Sequence, residues 1–139
     1  YFHEQGAFPQ QLEHDGEGHI VASVGEAVGP VAFSSLVCRW DWLDTDDARR
    51  FAAAYRATRE WVNTADIAEV ARAEASFFPD MAESAIAAAV GFYQKLGTWD
   101  GGITIEEDLY FAALDVFEHS GMVGSRHPYN RVVVAPPGE

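Results

Sequence analysis

Three consecutive residues near the start of the chain, Glu4, Gln5 and Gly6, have the chemistry to hold a small polar molecule. Glu4 offers a carboxylate that accepts hydrogen bonds, Gln5 offers an amide, and the backbone N–H groups of the turn at Gly6 can hold an anion. The tripeptide lies between a predicted strand and a predicted helix, which is where open α/β sheets bind their ligands. The pattern is compatible with a binding site and equally with a solvated loop.

Other patterns that carry chemistry are weak in this sequence. The glycine-rich stretch over residues 16–29 is not a phosphate-binding loop, because Pro-Val-Ala follows Gly29 where a Walker loop has lysine and a hydroxyl residue. Cys38 is the single cysteine and lies in an apolar run, where we expect a buried, unreactive thiol. The five histidines form no His-x-x-x-His pair of the kind that binds a metal from one helix. We therefore expect no catalytic residue, no metal and no cofactor.

The overall charge disfavours nucleic acids and anionic membranes as partners. Nine basic residues against 22 acidic residues give a formal net charge of −13, which repels phosphate groups. No apolar run approaches the roughly 20 residues that span a bilayer. With 139 residues and 48% hydrophobic content, the chain is expected to bury one ordinary core.

Strand-like patterns are confined to the first 40 residues. The predicted strands are Tyr1–Glu4, His19–Val24 and Val31–Trp40, which are rich in β-branched or aromatic residues. A short helix over residues 7–14 is predicted between the first two strands, because Phe8 and Leu12 have helical spacing.

From Asp44 onward the pattern is helical. Asp44 or Thr45 is predicted to cap a helix that ends near Asn63. Three further helices are predicted to end at Phe77, Gly97 and Gly121. Capping boxes are predicted at Asp80 with Glu83 and at Thr104 with Glu107. Strands followed by helices in this order predict an α/β protein with helices packed around a short sheet.

Short motifs follow one another in a recognisable order between residues 11 and 61. They are Gln11-Leu12-Glu13, Gly18-His19-Ile20-Val21, Gly29-Pro30, Phe33-Ser34, Leu36-Val37, Arg39, Asp41-Trp42-Leu43, Phe51, Ala54-Tyr55 and Trp61. This order resembles the C-terminal half of the substrate-binding proteins of nitrate, sulfonate, taurine and thiamine-pyrimidine importers, which have the periplasmic-binding-protein type II fold.

The resemblance implies a partial α/β fold of that type, with a small sheet portion followed by a helix-rich C-terminal part. Proteins of this family have two lobes with the ligand between them. Residues 1–32 would end the second lobe, residues 33–43 would form a crossover hinge, and residues 44–139 would be the helical part that packs on the first lobe. A hinge of this kind lets two lobes close on a ligand.

The function that the resemblance implies is that of the solute-binding component of an ABC importer. Such a protein would bind a small polar or anionic molecule in an interlobe cleft, dock to a permease, and work in the periplasm or on a lipid anchor outside the cytoplasm. Beside Glu4, Gln5 and Gly6, the candidate ligand-binding residues are Phe33, Ser34 and Arg39 along the crossover. Arg39 would pair with an anionic or polar ligand. If Arg39 is instead tied to Asp41 or to a helix carboxylate, its replacement should alter stability and leave ligand affinity in the complete protein unchanged.

Two alternatives remain open at the level of sequence. One is a thiamine-pyrimidine precursor synthase of the same fold, and the other is a self-contained interaction module. The chain starts at Tyr1 without a methionine, directly in a predicted strand. We therefore expect further residues upstream, where an export signal would lie, and a homodimer or swapped dimer is an expectation for the chain alone.

Overall fold

The computed structural model describes Tyr1 and residues 3–138, and this part of the chain is helical. Helices hold 56% of it, and none of the described residues forms a strand. In chain order the helices are α1 (Phe8–His14), α2 (Val24–Val28), α3 (Trp40–Leu43), α4 (Asp46–Thr64), α5 (Ile67–Glu74), α6 (Glu83–Leu96), α7 (Glu107–His119) and α8 (Tyr129–Val132), with a 3₁₀ turn over Ala75–Phe77 after α5. No helix among these is long and apolar enough to cross a membrane.

The predicted α/β fold with a small sheet portion is therefore wrong for the residues that the structure describes. The segments over residues 19–23 and 31–39 are irregular and make no strand ladder, and Phe2 of the first predicted strand lies outside the described residues. Ile20 donates its backbone N–H to a Glu13 side-chain oxygen (2.9 Å), and Ala32 donates its own to the Leu109 carbonyl of α7 (3.0 Å). Sequence propensity favours extended backbone here, but a sheet also requires a neighbouring strand to pair with.

The helix boundaries follow local signals where a side chain can reach the first-turn amides. The Thr45 hydroxyl accepts a hydrogen bond from the Ala48 N–H (3.1 Å), which confirms the predicted cap of α4. Asp66 caps α5 by accepting from the N–H groups of Ala68 (3.0 Å) and Glu69 (3.3 Å).

The two predicted capping boxes do not form the starts of α6 and α7. The residues at those N-cap positions are Ala82 and Glu106, and neither makes a side-chain capping hydrogen bond. Each helix begins at the glutamate that was predicted to be the third residue of the helix, Glu83 or Glu107. The acidic side chain therefore occupies the first turn, where the helix dipole favours a negative charge.

The chain divides into two compact units. The first unit comprises Tyr1–Ala27 and Arg59–Asp100, and the second comprises Val28–Thr58 and Gly101–Glu139. The unit boundary falls within α4, so this helix begins in the second unit and ends in the first. The division into residues 1–32, 33–43 and 44–139 stays a prediction.

The core of the first unit is built from the end of α4, α5 and α6. Its buried members are Val62, Val70, Ala71, Ile86 and Val90, with the partly buried Trp61 and Trp99 packed against them. The Gln94 side chain donates from Nε2 to the carbonyls of Val62 (2.8 Å) and Ala65 (3.1 Å). These bonds satisfy carbonyls at the end of α4 that have no partner within that helix.

The second unit has a smaller buried core and much exposed apolar surface. Ala48, Ala52 and Ala113 are its buried apolar residues among those described. The Tyr129 hydroxyl donates to the Ile105 carbonyl (2.5 Å), and the Tyr110 hydroxyl donates to the His127 carbonyl (2.9 Å). The irregular segment before α3 exposes Phe33, Leu36 and Val37, with Val37 92% exposed, and Trp40 at the start of α3 is exposed as well.

Glu74 makes the stability of the first unit depend on pH. Burial raises the pKa of this carboxyl above its ordinary value, and Glu74 is the last residue of α5, where the helix dipole also disfavours a negative charge. The folded state therefore binds the proton more tightly than the unfolded state does, so this group's contribution to stability is present below the ordinary pKa and is lost as the pH rises through the raised pKa.

We expect Glu74→Gln to raise the unfolding temperature at pH 7, because glutamine carries no charge to desolvate. The gain should shrink as the pH falls below the ordinary glutamate range. Thermal unfolding of the variant and of the unmodified chain, followed by circular dichroism, measures the gain in unfolding temperature at pH 7 and at pH 4. An equal gain at the two pH values would show that ionisation of Glu74 is not its cause.

Candidate functional site

Glu4, Gln5 and Gly6 line a cavity of about 200 Å³ in the first unit. Four parts of the chain contribute its walls: the segment over residues 3–6, the first turn of α1, the segment that leads into α2, and the last turns of α6. Glu4, Gln5 and Gly6 thus line one cavity together with residues far away in the sequence. Its role in binding stays a prediction.

Two long-range hydrogen bonds hold the walls of this cavity in place. Gly6 donates its backbone N–H to the hydroxyl oxygen of Tyr93 in α6 (3.2 Å), across 87 positions of sequence. Gly6 has a φ of +73°, a backbone conformation that other residues adopt only with strain. Gln11 in α1 accepts at Oε1 from the Ala82 N–H just before α6 (2.7 Å). The tripeptide and α1 are therefore both anchored to α6.

Gln10 is the unusual polar residue of the cavity. It lies in the first turn of α1, is only 9% exposed, and is the one buried polar residue among those described. Its side-chain oxygen Oε1 has no hydrogen-bond partner among the described residues. A buried acceptor without a partner costs about 1–3 kcal/mol, and such groups in folded proteins are normally bonded to protein, water or ligand. This oxygen is enclosed by protein, so a molecule in the cavity does not reach it.

The charges on the cavity wall are acidic. Glu4 is the only carboxylate that lines it, His3 is the only other titratable side chain besides the Tyr93 phenol, and no lysine or arginine is present on the described wall. One Glu4 oxygen, Oε1, accepts from the neighbouring Gln5 N–H (3.2 Å). The electrostatic environment favours a neutral or positively charged guest over an anion.

The remaining candidate residues, Phe33, Ser34 and Arg39, belong to the second unit. Phe33 stacks on Phe117 of α7 with 5.7 Å between the ring centres, and Ser34 is exposed. Arg39 donates to both carboxylate oxygens of Asp41, from Nε at 2.9 Å and from Nη2 at 2.5 Å. Of the two outcomes foreseen for Arg39, the structure shows the ion pair with Asp41. The ligand-binding role of these three residues stays a prediction.

We expect Arg39→Ala to lower the free energy of unfolding only slightly, by less than about 1 kcal/mol. Its side chain is 84% exposed, and exposed ion pairs contribute about 0–1 kcal/mol because water and salt screen them. Urea unfolding of the variant and of the unmodified chain checks this. A loss above about 1 kcal/mol would mean that Arg39 has a structural role beyond the pair with Asp41.

A second, larger groove of about 400 Å³ lies in the second unit. It is lined by α3 and the start of α4, including Trp40 and Arg49, and by residues 134–138 of the C-terminal tail. Arg49 forms an ion pair with Asp46 (2.7 Å), so its charge is already balanced within α4. None of the residues that line this groove is among the predicted ligand-binding residues.

The described side chains form no cluster for a metal ion, and the single thiol is exposed. No group of three or more His, Cys, Asp or Glu side chains that could hold a metal ion occurs among the described residues. Cys38 is exposed, so the expectation of a buried thiol is wrong. The apolar run that contains Cys38 has no sheet or second layer to cover it in the described part of the chain.

Sequence reasoning missed Gln10 and Tyr93 as residues of the site. Gln10 follows Phe8 and Pro9 in a polar-looking stretch, and nothing in the sequence shows that it is buried. Tyr93 belongs to an alanine-rich helix that is predicted to end at Gly97, and nothing in its sequence marks Tyr93 as part of a site. Neither residue can be identified as part of the site without knowing that α1 packs on α6.

Comparison with known proteins indicates a binding role. The chain is 26% identical over 124 residues to a protein of Bacillus subtilis (strain 168) named "Putative binding protein YtlA", and the alignment covers 88% of this chain. The chain spans only 37% of that protein's length. No family model and no solved structure matches the chain. The similarity thus points to a binding protein and leaves the transporter type and the ligand open.

Proposed function

We propose that this chain is part of the solute-binding component of an ABC importer, and that the cavity lined by Glu4, Gln5 and Gly6 takes a small polar solute. The observation that carries the proposal is this cavity, which combines the Glu4 carboxylate and the Gln5 amide with apolar and aromatic walls. Pockets for small molecules have this composition, with a few polar groups set in a mostly apolar lining. The similarity to a binding protein supports the same role.

The size of the cavity favours a small solute. Pockets that hold drug-sized molecules measure about 300–1,000 Å³, and this cavity of about 200 Å³ is smaller. In the proposed role the protein works outside the cytoplasm, delivers its ligand to a permease, and does not transform it.

The proposal is tested by thermal unfolding of the chain with and without candidate solutes: nitrate, an alkanesulfonate, taurine and an aminopyrimidine. A solute that binds only the folded state raises the unfolding temperature increasingly with concentration, by the equivalent of about 2.7 kcal/mol at 100 times the dissociation constant. The expected result is a concentration-dependent rise with at least one class of small solute.

A pair of matched variants locates the binding. Ala22 lines the cavity and is exposed, so Ala22→Phe should fill the space without disturbing the core, and the rise should disappear. Ala57 is exposed on α4 and away from the cavity lining, so Ala57→Phe should keep the full rise. A rise that persists in Ala22→Phe would place binding elsewhere, and no rise with any small solute would contradict the proposed function.

A further inference from the structure

We propose that the loop between α5 and α6, residues 75–82, docks a partner protein whose surface has an apolar pocket bordered by lysine or arginine side chains. In this interaction Phe77 fills the pocket, and the carboxylates of Glu74, Asp80 and Glu83 pair with the bordering cations. The inference goes beyond the proposed function, because no residue of the α5–α6 loop belongs to the described lining of the candidate cavity.

The first observation is an aromatic side chain without cover. Phe77 is 79% exposed, and its ring stacks on no other ring within the described part of the chain. The next residue, Phe78, is exposed as well. Phe33, by contrast, is exposed but stacks on Phe117 of α7. Single exposed apolar residues are common on folded proteins, so the case for docking depends on how the loop holds Phe77 and on the charges beside it.

The second observation is that the α5–α6 loop is tied down on both sides of Phe77. Phe78 donates its N–H to the Ala75 carbonyl (3.2 Å), and Met81 donates its N–H to the Phe78 carbonyl (3.0 Å). Ala75 and Met81 both pack against the core of the first unit. A side chain presented by an ordered loop loses little freedom on binding, and aromatic residues are enriched at the centres of protein interfaces.

The third observation is that the charge around Phe77 is acidic and unbalanced. Glu74 ends α5, Asp80 lies in the loop, and Glu83 begins α6. None of these three carboxylates makes an ion pair with another described residue. The nearest basic residue in the sequence is Arg72, which projects about 200° around α5 from Glu74, since successive residues of a helix are about 100° apart. Electrostatic complementarity therefore favours a basic partner surface and disfavours an anionic lipid surface.

The half-buried Glu74 gains the most from such a partner. Burial raises the pKa of this carboxyl, so its charged form is costly in the free chain. A cation brought next to Glu74 offsets a cost that is already present, and their attraction is screened less than it is in open water. Asp80 and Glu83 are exposed and act chiefly on orientation and on the rate of encounter.

The test uses three short fluorescent peptides as probes on the full chain. One alternates arginine with leucine, the second has serine in place of leucine, and the third has glutamate in place of arginine. Fluorescence anisotropy measures their binding. We expect the arginine–leucine peptide to bind at least about tenfold more tightly than either of the others, because the surface combines an apolar anchor with carboxylates. Its binding should weaken as the salt concentration rises from about 0.05 M to about 0.5 M.

Matched variants locate the binding. Phe77→Ser should weaken the arginine–leucine peptide about tenfold or more, while leaving the unfolding temperature nearly unchanged because the side chain is exposed. Val37→Ser removes an even more exposed apolar side chain from the second unit and should keep full binding.

A second pair of variants tests the charges. Asp80→Asn combined with Glu83→Gln should weaken the same peptide and reduce the salt dependence of its binding. Glu106→Gln combined with Glu107→Gln removes two exposed carboxylates from the start of α7 and is the matched control, which should bind as the unmodified chain does.

The inference is overturned if the arginine–leucine peptide does not bind, if the glutamate–leucine peptide binds as tightly, or if Phe77→Ser binds unchanged. Binding to neutral phosphatidylcholine vesicles that Phe77→Ser abolishes, with no binding of the arginine–leucine peptide, would assign the loop to a lipid surface instead. Each of these results leaves the solute-binding role standing, since that role depends on the candidate cavity and on its own variants.

Discussion

Replacing Ile86 with alanine is expected to lower the free energy of unfolding by about 2–5 kcal/mol. Ile86 is 1% exposed and lies in α6 at the centre of the core formed with Val62, Val70, Ala71 and Val90. The change removes buried methyl and methylene groups and leaves a cavity that the packed helices α5 and α6 can close only in part. Urea unfolding followed by circular dichroism gives the value.

A graded series makes the Ile86 prediction specific. Ile86→Val removes one methylene group and should cost about 0.5–1.5 kcal/mol. Val37→Ala removes two methyl groups from a side chain that is almost fully exposed, and should stay within about 0.5 kcal/mol of the unmodified chain. If Ile86→Ala and Val37→Ala had equal effects, the core of the first unit would not be the one described.

Replacing Gly97 with alanine is expected to cost about 1–3 kcal/mol. Gly97 ends α6 in the left-handed conformation, with a φ of +73°, and it donates its N–H to the Gln94 carbonyl. A β-carbon there would be 2.7 Å from the Asp100 oxygen Oδ2. Asp100 is itself held by Asn63, which donates from Nδ2 to Oδ1 (2.8 Å). Alanine therefore adds backbone strain and displaces a side chain that ties α6's end to α4.

A Gly101→Ala variant separates the two causes of the loss expected at Gly97, which are backbone strain and the contact with Asp100. The φ of Gly101 is +76°, but a β-carbon would meet nothing within 4 Å, so Gly101→Ala measures the backbone strain alone. We expect Gly97→Ala to exceed Gly101→Ala in thermal unfolding, and Asp100→Ala to remove much of that excess when combined with Gly97→Ala. Equal losses for the two glycine variants would show that the contact with Asp100 has no energetic weight.

Features that depend on neighbouring residues in the sequence were predictable. The end of α6 at Gly97 and the cap of α4 at Thr45 follow from residue types whose effect is confined to one helical turn. Helical spacing in α4 predicts an apolar stripe of Ala48, Phe51, Ala52, Tyr55 and Val62. Ala48, Ala52 and Val62 are buried, whereas Phe51 is 48% exposed. The capping boxes failed because the choice between competing N-cap residues a few positions apart is decided by where the chain turns before the helix.

Tertiary structure decided whether a sheet forms and which residues line the candidate site. The runs at His19–Val24 and Val31–Trp40 have the composition of strands, but a strand exists only with a partner, and the described residues supply none. The polar chemistry of Glu4, Gln5 and Gly6 was visible in the sequence. The burial of Gln10 and the approach of Tyr93 to Gly6 were not.

The sequence by itself determined where most of the helices lie, the acidic character of the chain and the presence of a polar tripeptide near its start. Only the tertiary structure decided that α1 and α6 pack together, that Gln10 becomes buried between them without a donor, and that the tripeptide closes one side of a cavity. The physical reason is range: capping and helical periodicity act within a few residues, whereas burial and pairing depend on groups brought together across as many as 87 positions.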